Sequence, residues 1–419
     1  MELTVQQSCP SCGAAIVLHE DDNIIKCGFC DIDNYKVSRR VDRYFLPARI
    51  SLEVENDNII YVPYLRFKGA VYFIQGKEVR YKLVDTTRIG CHNSRLPVSL
   101  GLRPQAMTLQ PVISGIAGKF LRQSLPTKAI FKDATKNLDL YQKKNQCKKQ
   151  AVFHRAFIGE KISRIYQPLY IKNDEVLDGI TNRPLGPGSI FRKNLVSAEK
   201  SQQAWEPHFI STLCPECEGR LVGESDSCVL QCRNCLLPWK EEDQVFTQVE
   251  GQIILPESTG KRYLPFWCVE YHLTGAQNLK SFADYLRFTN QPAIINPSHE
   301  RQALKFFVPA FKLRPQAFLQ LSARLTLKQS TLPPGKTAKI SDGYPVNLDD
   351  KEAAQAIKSI LASTTLAREK RFPLLKESNV KKTRCILTYL PFLQSAHDYV
   401  QEHTGASVQT AALKYGRAL

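Results

Sequence analysis

Eight of the thirteen cysteines stand in four Cys-x-x-Cys pairs, and the pairs form two sets with one spacing. The first set is Cys9 and Cys12 with Cys27 and Cys30; the second is Cys214 and Cys217 with Cys232 and Cys235. Fourteen residues separate the pairs in both sets, and each cysteine of the second set follows its counterpart by 205 positions. A Cys-x-x-Cys turn aims two sulfurs at one ion, and a short hairpin between two such turns completes a tetrahedron, so each set predicts one four-thiolate metal site. Gly13 and Gly28 suit the tight turns. Disulfide pairs would need no common spacing, and thiolate ligands persist in a reducing compartment, so the expected location is cytoplasmic.

A catalytic zinc keeps an open position for water or substrate, whereas four thiolates close the site. The expected cofactors are therefore two structural Zn²⁺ ions, with a four-cysteine iron site of rubredoxin type as the alternative that sulfur ligation leaves open. The segments Cys9-Pro10-Ser11-Cys12 and Cys214-Pro215-Glu216-Cys217 carry the Cys-Pro-x-Cys knuckle, and residues 5–40 and 210–245 resemble the zinc-ribbon class. The layout of tandem ribbons is similar to that of uncharacterised bacterial duplicated zinc-ribbon proteins. That resemblance implies a module and no activity.

Other echoes keep the same order. Tyr61-Val62-Pro63-Tyr64-Leu65 matches Tyr263-Leu264-Pro265-Phe266-Trp267 at an offset of 202, and Leu102-Arg103-Pro104-Gln105-Ala106 matches Leu313-Arg314-Pro315-Gln316-Ala317 at 211. Tyr166-Gln167-Pro168-Leu169-Tyr170 is echoed by Tyr389-Leu390-Pro391-Phe392-Leu393. Small insertions in loops account for the unequal offsets. The expected fold is α+β and β-rich, an internal duplication in which each half is a zinc ribbon followed by a β-rich domain with some helix. The boundaries follow: ribbon 1 over 1–40, a body domain over 41–183, a linker over 184–210, ribbon 2 over 211–245 and a second body over 246–419. Ile59 to Val84, rich in Tyr, Val, Ile and Phe, predicts strands broken at Gly69 and Gly76. Residues 318–327 fit helix and strand periods equally, while Pro111 weakens helix in the first copy. Leu348 to Glu369 predicts a helix opened by Asp349 and Asp350, with Ala353, Ile357, Ile360 and Leu361 on one face.

The chain of 419 residues carries a formal charge of +17, and 31 basic against 20 acidic residues before position 210 give the first half +11 of it. Two loaded tetrathiolate sites would lower the total to about +13. A basic field favours nucleic acid, an anionic membrane surface or an acidic protein. The densest run holds Lys143, Lys144, Lys148 and Lys149, which with Arg103 and Arg314 are the candidate polyanion contacts. Against this stand a solvated charged face for the lysines and a local carboxylate or carbonyl partner for the two arginines. No apolar run reaches the length of a membrane span, and no basic-then-apolar leader opens the chain.

Phosphate-binding glycine loops, Gly-x-Ser-x-Gly elbows and His-Glu-x-x-His helices are absent from the sequence. Cys91 with His92 and Cys268 with His272 are the close thiol–imidazole pairs, and packing explains free cysteines such as Cys228 without chemistry. The expectation is a non-catalytic zinc-binding adaptor or scaffold with a protein partner in a larger assembly. The alternative is a basic nucleic-acid-binding protein, in which Arg39, Arg40, Arg43, Arg220 and Arg233 would reach phosphates.

Overall fold

The computed structural model describes residues 3–37, 41–49, 58–92, 95–113, 116, 118–135, 151–189, 207–257, 261–275, 278–337 and 343–417. The protein is α+β and strand-rich, and it divides into two compact units. The first comprises Met1–Lys68, Val84–Tyr141 and Glu160–Ser211; the second comprises Gly69–Leu83, Gln142–Gly159 and Thr212–Leu419. Residues 69–83 and 142–159, which a contiguous division gives to the first body domain, thus belong to the second unit. Among the described residues no helix is long and apolar enough to cross a membrane.

In the first unit, β1 (Thr4–Ser8) and β2 (Ala15–His19) form one antiparallel hairpin, and β3 (Ile24–Lys26) and β4 (Asp33–Lys36) form a second. Each hairpin turns on a Cys-x-x-Cys segment. The body sheet uses β5 (Asp42–Phe45), β6 (Ile59–Gln75), β7 (Glu78–Ile89), β8 (Gln110–Pro111), β9 (Lys119–Phe120), β10 (Val152–Lys172), β11 (Glu175–Asp178) and β12 (Pro184–Pro187), of which the parts of β6, β7 and β10 within residues 69–83 and 152–159 count in the second unit. Strand β10 lies beside β6, antiparallel to β11 and parallel to β5. Burial on both faces makes β6 a near-continuous apolar run, so it lacks the alternation of a half-exposed strand. Gly69 lies within β6, contrary to expectation, and the turn falls at Gly76, whose φ is 56°. Arg103–Ala106 makes a single helical turn, α1, and Ala129–Ala134 makes α2. The outer residues of the expected linker are strands: β12 pairs with β11, and β13 (Phe209–Ser211) pairs with β4. Residues 190–206 lie outside the described residues.

From Thr212 onward the second unit has β14 (Leu221–Val222), β15 (Val229–Cys232), β16 (Pro238–Glu242) and β17 (Val245–Gln248) in one antiparallel sheet. Its larger sheet contains β18 (Gly251–Ile253), β19 (Lys261–Thr274), β20 (Lys305–Pro309), β21 (Lys336–Thr337), β22 (Asn379–Gln394), β23 (Asp398–Gln401) and β24 (Ser407–Gln409). Helices α3 (Phe282–Thr289), α4 (Pro297–Arg301), α5 (Pro315–Leu327), α6 (Asp350–Thr364), α7 (Arg368–Glu377) and α8 (Thr410–Gly416) complete the unit. Helical period wins in α5, where Phe318, Leu321 and Leu325 are buried. Helix α6 begins as expected, with Asp349 accepting from Lys351 N at 2.7 Å, and buries Ala353, Ile357, Ile360 and Leu361. The single helix expected to Glu369 is instead two. Thr364 and Thr365 hydroxyls both donate to Leu361 O, at 2.9 and 2.7 Å, and compete for the carbonyls at the break.

Equivalent backbone bonds recur in the two sheets. Leu121 N donates to Tyr61 O at 2.9 Å, and Tyr344 N to Tyr263 O at 2.8 Å. Gly90 N donates to Pro63 O at 2.7 Å, and Ala310 N to Pro265 O at 3.0 Å. Leu46 N and Ile254 N reach Tyr166 O and Tyr389 O, each at 3.0 Å. Strands β5 and β18 run parallel to β10 and β22 in the same register, Phe45 facing Tyr166 and Ile253 facing Tyr389.

Candidate metal centres

Each Cys-x-x-Cys segment is a turn held by its own backbone. Cys9 N donates to Ala14 O at 2.8 Å and Gly13 N to Cys9 O at 2.9 Å; in the second unit Cys214 N donates to Gly219 O at 2.8 Å and Glu218 N to Cys214 O at 2.9 Å. The residue after the second cysteine has a left-handed backbone in all four turns: Gly13, Asp31, Glu218 and Leu236, with φ of 76°, 56°, 57° and 60°. Gly28 is not in that conformation, so of the two glycines read as turn residues only Gly13 meets the need. A leucine there costs about 1–2 kcal/mol of backbone strain.

The turns bring the predicted cysteines together in two clusters, within each of which the four sulfurs lie within 4.8 Å of one another. The distances are 3.8 Å for Cys9–Cys30, 3.6 Å for Cys12–Cys27, 3.7 Å for Cys214–Cys235 and 3.5 Å for Cys217–Cys232. A tetrahedron with metal–sulfur bonds of about 2.3 Å has edges of about 3.8 Å, while a disulfide would need about 2.05 Å. Both clusters therefore fit one metal ion each, as zinc-ribbon-like modules would. Phe29 N donates to Cys27 Sγ at 3.5 Å and Asn234 N to Cys232 Sγ at 3.3 Å.

These N–H groups prepare one thiolate per cluster. The backbone N–H groups of Cys30 and Phe29 draw the Cys27 thiol down to about 6. Burial opposes ionisation of Cys232, its equivalent, but the N–H groups of Cys235 and Asn234 prevail and leave it at about 7. The Ala14 N–H favours a thiolate at Cys12, yet desolvation and the adjacent sulfurs push that thiol up to about 12. Burial and the neighbouring sulfurs do the same for Cys235, at about 12. Metal binding at each cluster thus releases protons from the ligands that are not yet ionised.

No protein-family model, curated protein or solved structure matches the chain.

The segment between the two turns of each cluster is anchored by acidic residues that sequence patterns did not single out. In the first unit Glu20 is buried, pairs with the fully buried Arg66, and accepts from Ser163 Oγ at 2.9 Å. Arg66 also grips Asp85 with two bonds of 2.8 Å, and Lys68 reaches Asp21 at 3.2 Å. Asp42 sits between Lys36 at 3.3 Å and Lys161 at 3.4 Å; burial opposes its charge, but the two ammonium groups hold its carboxyl well below the usual range. In the second unit Asp226, 205 positions after Asp21, pairs with Arg417 and accepts from Asn347 Nδ2 at 2.7 Å. Lys240 joins β16 to the start of α6 through Asp349 at 2.8 Å and Asp350 at 2.6 Å. The repeated acidic position between the turns was the available signal.

The remaining candidates do not converge. Arg103 pairs with the buried Asp178 at 2.8 Å, while Arg314 is exposed at the start of α5. Lys143, Lys144, Lys148, Lys149, Arg39 and Arg40 lie outside the described residues. Cys228 does not join the second cluster; its thiol donates to Val346 O at 3.4 Å. Burial pushes the Cys91 and Cys268 thiols up to about 11 and 12, away from nucleophilic character.

Proposed function

We propose that the protein is a non-catalytic adaptor or scaffold subunit of a cytoplasmic assembly, built by internal duplication around two structural zinc ions. The observation that carries the proposal is the closed character of both clusters: four sulfurs at tetrahedral edge distances leave no coordination position for water or substrate. Zinc is favoured because a closed tetrathiolate is its common structural site and supplies folding free energy to short hairpins. Duplication is supported by the recurring bonds at Tyr61 and Tyr263, Pro63 and Pro265, and Tyr166 and Tyr389. Two related modules on one chain can bridge two partners, or bind one partner at raised effective concentration.

Native mass spectrometry of the zinc-loaded protein purified from its own cytoplasm tests this. A stoichiometric protein partner that dissociates when zinc is removed is the expected result. Nuclease-sensitive mass in its place would overturn the adaptor in favour of nucleic-acid binding.

A further inference from the structure

The two clusters share their turns and differ in their cover. Cys12 is exposed, whereas its counterpart Cys217 is half-buried. Around the first cluster, a side-chain carbon added at Gly13 or Gly28 would meet nothing within 4 Å. Around the second, Gly219 lies so close that an added Cβ would stand 3.1 Å from Cys232 Sγ, 3.3 Å from Cys217 Sγ and 2.8 Å from Asn234 Cβ. The backbone of Gly219 therefore lies against Cys217 and Cys232. Ala14 holds the place of Gly219 in the first cluster, its carbonyl accepting from Cys9 N as that of Gly219 does from Cys214 N, and Phe29 and its equivalent Asn234 are both exposed, so the difference in cover lies at Cys12 and Cys217. The backbone of Arg233, equivalent to Gly28, is further tied by a 3.0 Å bond from its N to Arg220 O.

We propose that the first cluster is an oxidation-sensitive metal site, with Cys12 as the point of attack, and that the second holds its metal permanently. This rests on both clusters holding zinc. Thiolate oxidation follows access, and a metal-bound thiolate next to a second thiolate can complete a disulfide. With a hydroperoxide as oxidant, Cys12 Sγ attacks the outer oxygen, the O–O bond breaks, and hydroxide or alkoxide leaves, giving a sulfenic acid. Cys27 Sγ, 3.6 Å away, then attacks that sulfur and expels hydroxide. The two thiolates lose two electrons in total, the peroxide gains them, and the released oxyanions take up protons as water or alcohol. Two ligands are consumed, so Zn²⁺ leaves. The first module is thereby switched off while the second stays intact.

The test uses the zinc-loaded full-length protein, whose metal content is measured before hydrogen peroxide is added. Free zinc is followed with a chromophoric chelator, and cysteine oxidation is mapped by differential alkylation and peptide mass spectrometry. About one zinc per chain should appear first; in samples alkylated after denaturation in chelator, Cys12 and Cys27 should lose alkylation on the order of tenfold faster than Cys217 and Cys232, while Cys9 and Cys30 stay alkylatable. Equal rates, faster loss at the second set, or oxidation that releases no zinc would overturn the proposal. A protein that carries no zinc before peroxide fails at the earlier step, and the two failures are distinguishable.

Discussion

Replacing Arg66 with methionine removes the cation that neutralises Glu20, and the expected cost can be worked from its surroundings. Arg66 is fully buried and serves two carboxylates. Asp85 is 29% exposed and keeps a 3.1 Å bond from Gln105 Nε2, so water can replace much of what it loses. Glu20 is 2% exposed and retains only the Ser163 hydroxyl among its two named partners. Breaking a buried pair from one side costs about 3–5 kcal/mol, nearly all of it the stranded charge. With a urea m-value of about 2.5 kcal/mol/M, the first unit should lose about 1.5 M in midpoint. Adding Glu20→Gln removes that charge and should recover at least about 2 kcal/mol. Hydrogen-exchange mass spectrometry across a urea series reads the first and second units separately. A double variant no more stable than Arg66→Met alone, or equal losses in both units, would refute the assignment of the cost to Glu20.

Other substitutions probe the turns and the buried acids. Cys27→Ser and Cys232→Ser should each lower the metal content by about one ion per chain in native mass spectra, because each removes one of four ligands. Leu236→Gly should stabilise the second unit by about 0.5–1 kcal/mol in the same urea series, since glycine adopts its left-handed backbone without a Cβ clash. Burial raises the Glu160 carboxyl from its ordinary 4.5 to about 7. Its folded value lies above the unfolded one, so its contribution to stability is fully present below pH 4.5 and is lost as pH rises through 7. Glu160→Gln should accordingly gain about 1 kcal/mol at pH 8, after discounting for solvent screening, and nothing at pH 4. The depressed Asp42 carboxyl has the opposite sense. Its contribution is full above the ordinary carboxylate value of 3.8 and declines as acid titration proceeds below it, so Asp42→Asn should flatten the acid limb of the unfolding curve.

The clusters were legible because each knuckle is local: four residues fix the direction of two sulfurs. Helix α6 was legible for a similar reason, with Asp349 at its start and apolar residues at helical spacing. Its end was not, since threonine hydroxyls at 364 and 365 decide it by bonding back to Leu361. The repeated Leu-Arg-Pro-Gln-Ala element gives one turn at α1 and thirteen residues at α5. After Ala106 the chain is captured by β1, where Gln6 N and Leu109 N form bonds of 2.9 and 2.8 Å with the opposite strand, and Pro111 then enters β8. Prolines at 63, 168, 265 and 391 sit inside long strands, where a missing donor ordinarily argues against strand; their carbonyls or neighbours are paired instead. The Glu20–Arg66 pair joins residues 46 positions apart, and neither residue type announces burial in a sequence.

The most direct test is elemental analysis combined with native mass spectrometry on protein purified under reducing conditions without added metal. Two zinc ions per chain, with all eight paired cysteines protected from alkylation until the metal is chelated, is the predicted result. Iron in the clusters, or metal-free protein whose eight cysteines alkylate at once while both units stay folded, would contradict the account.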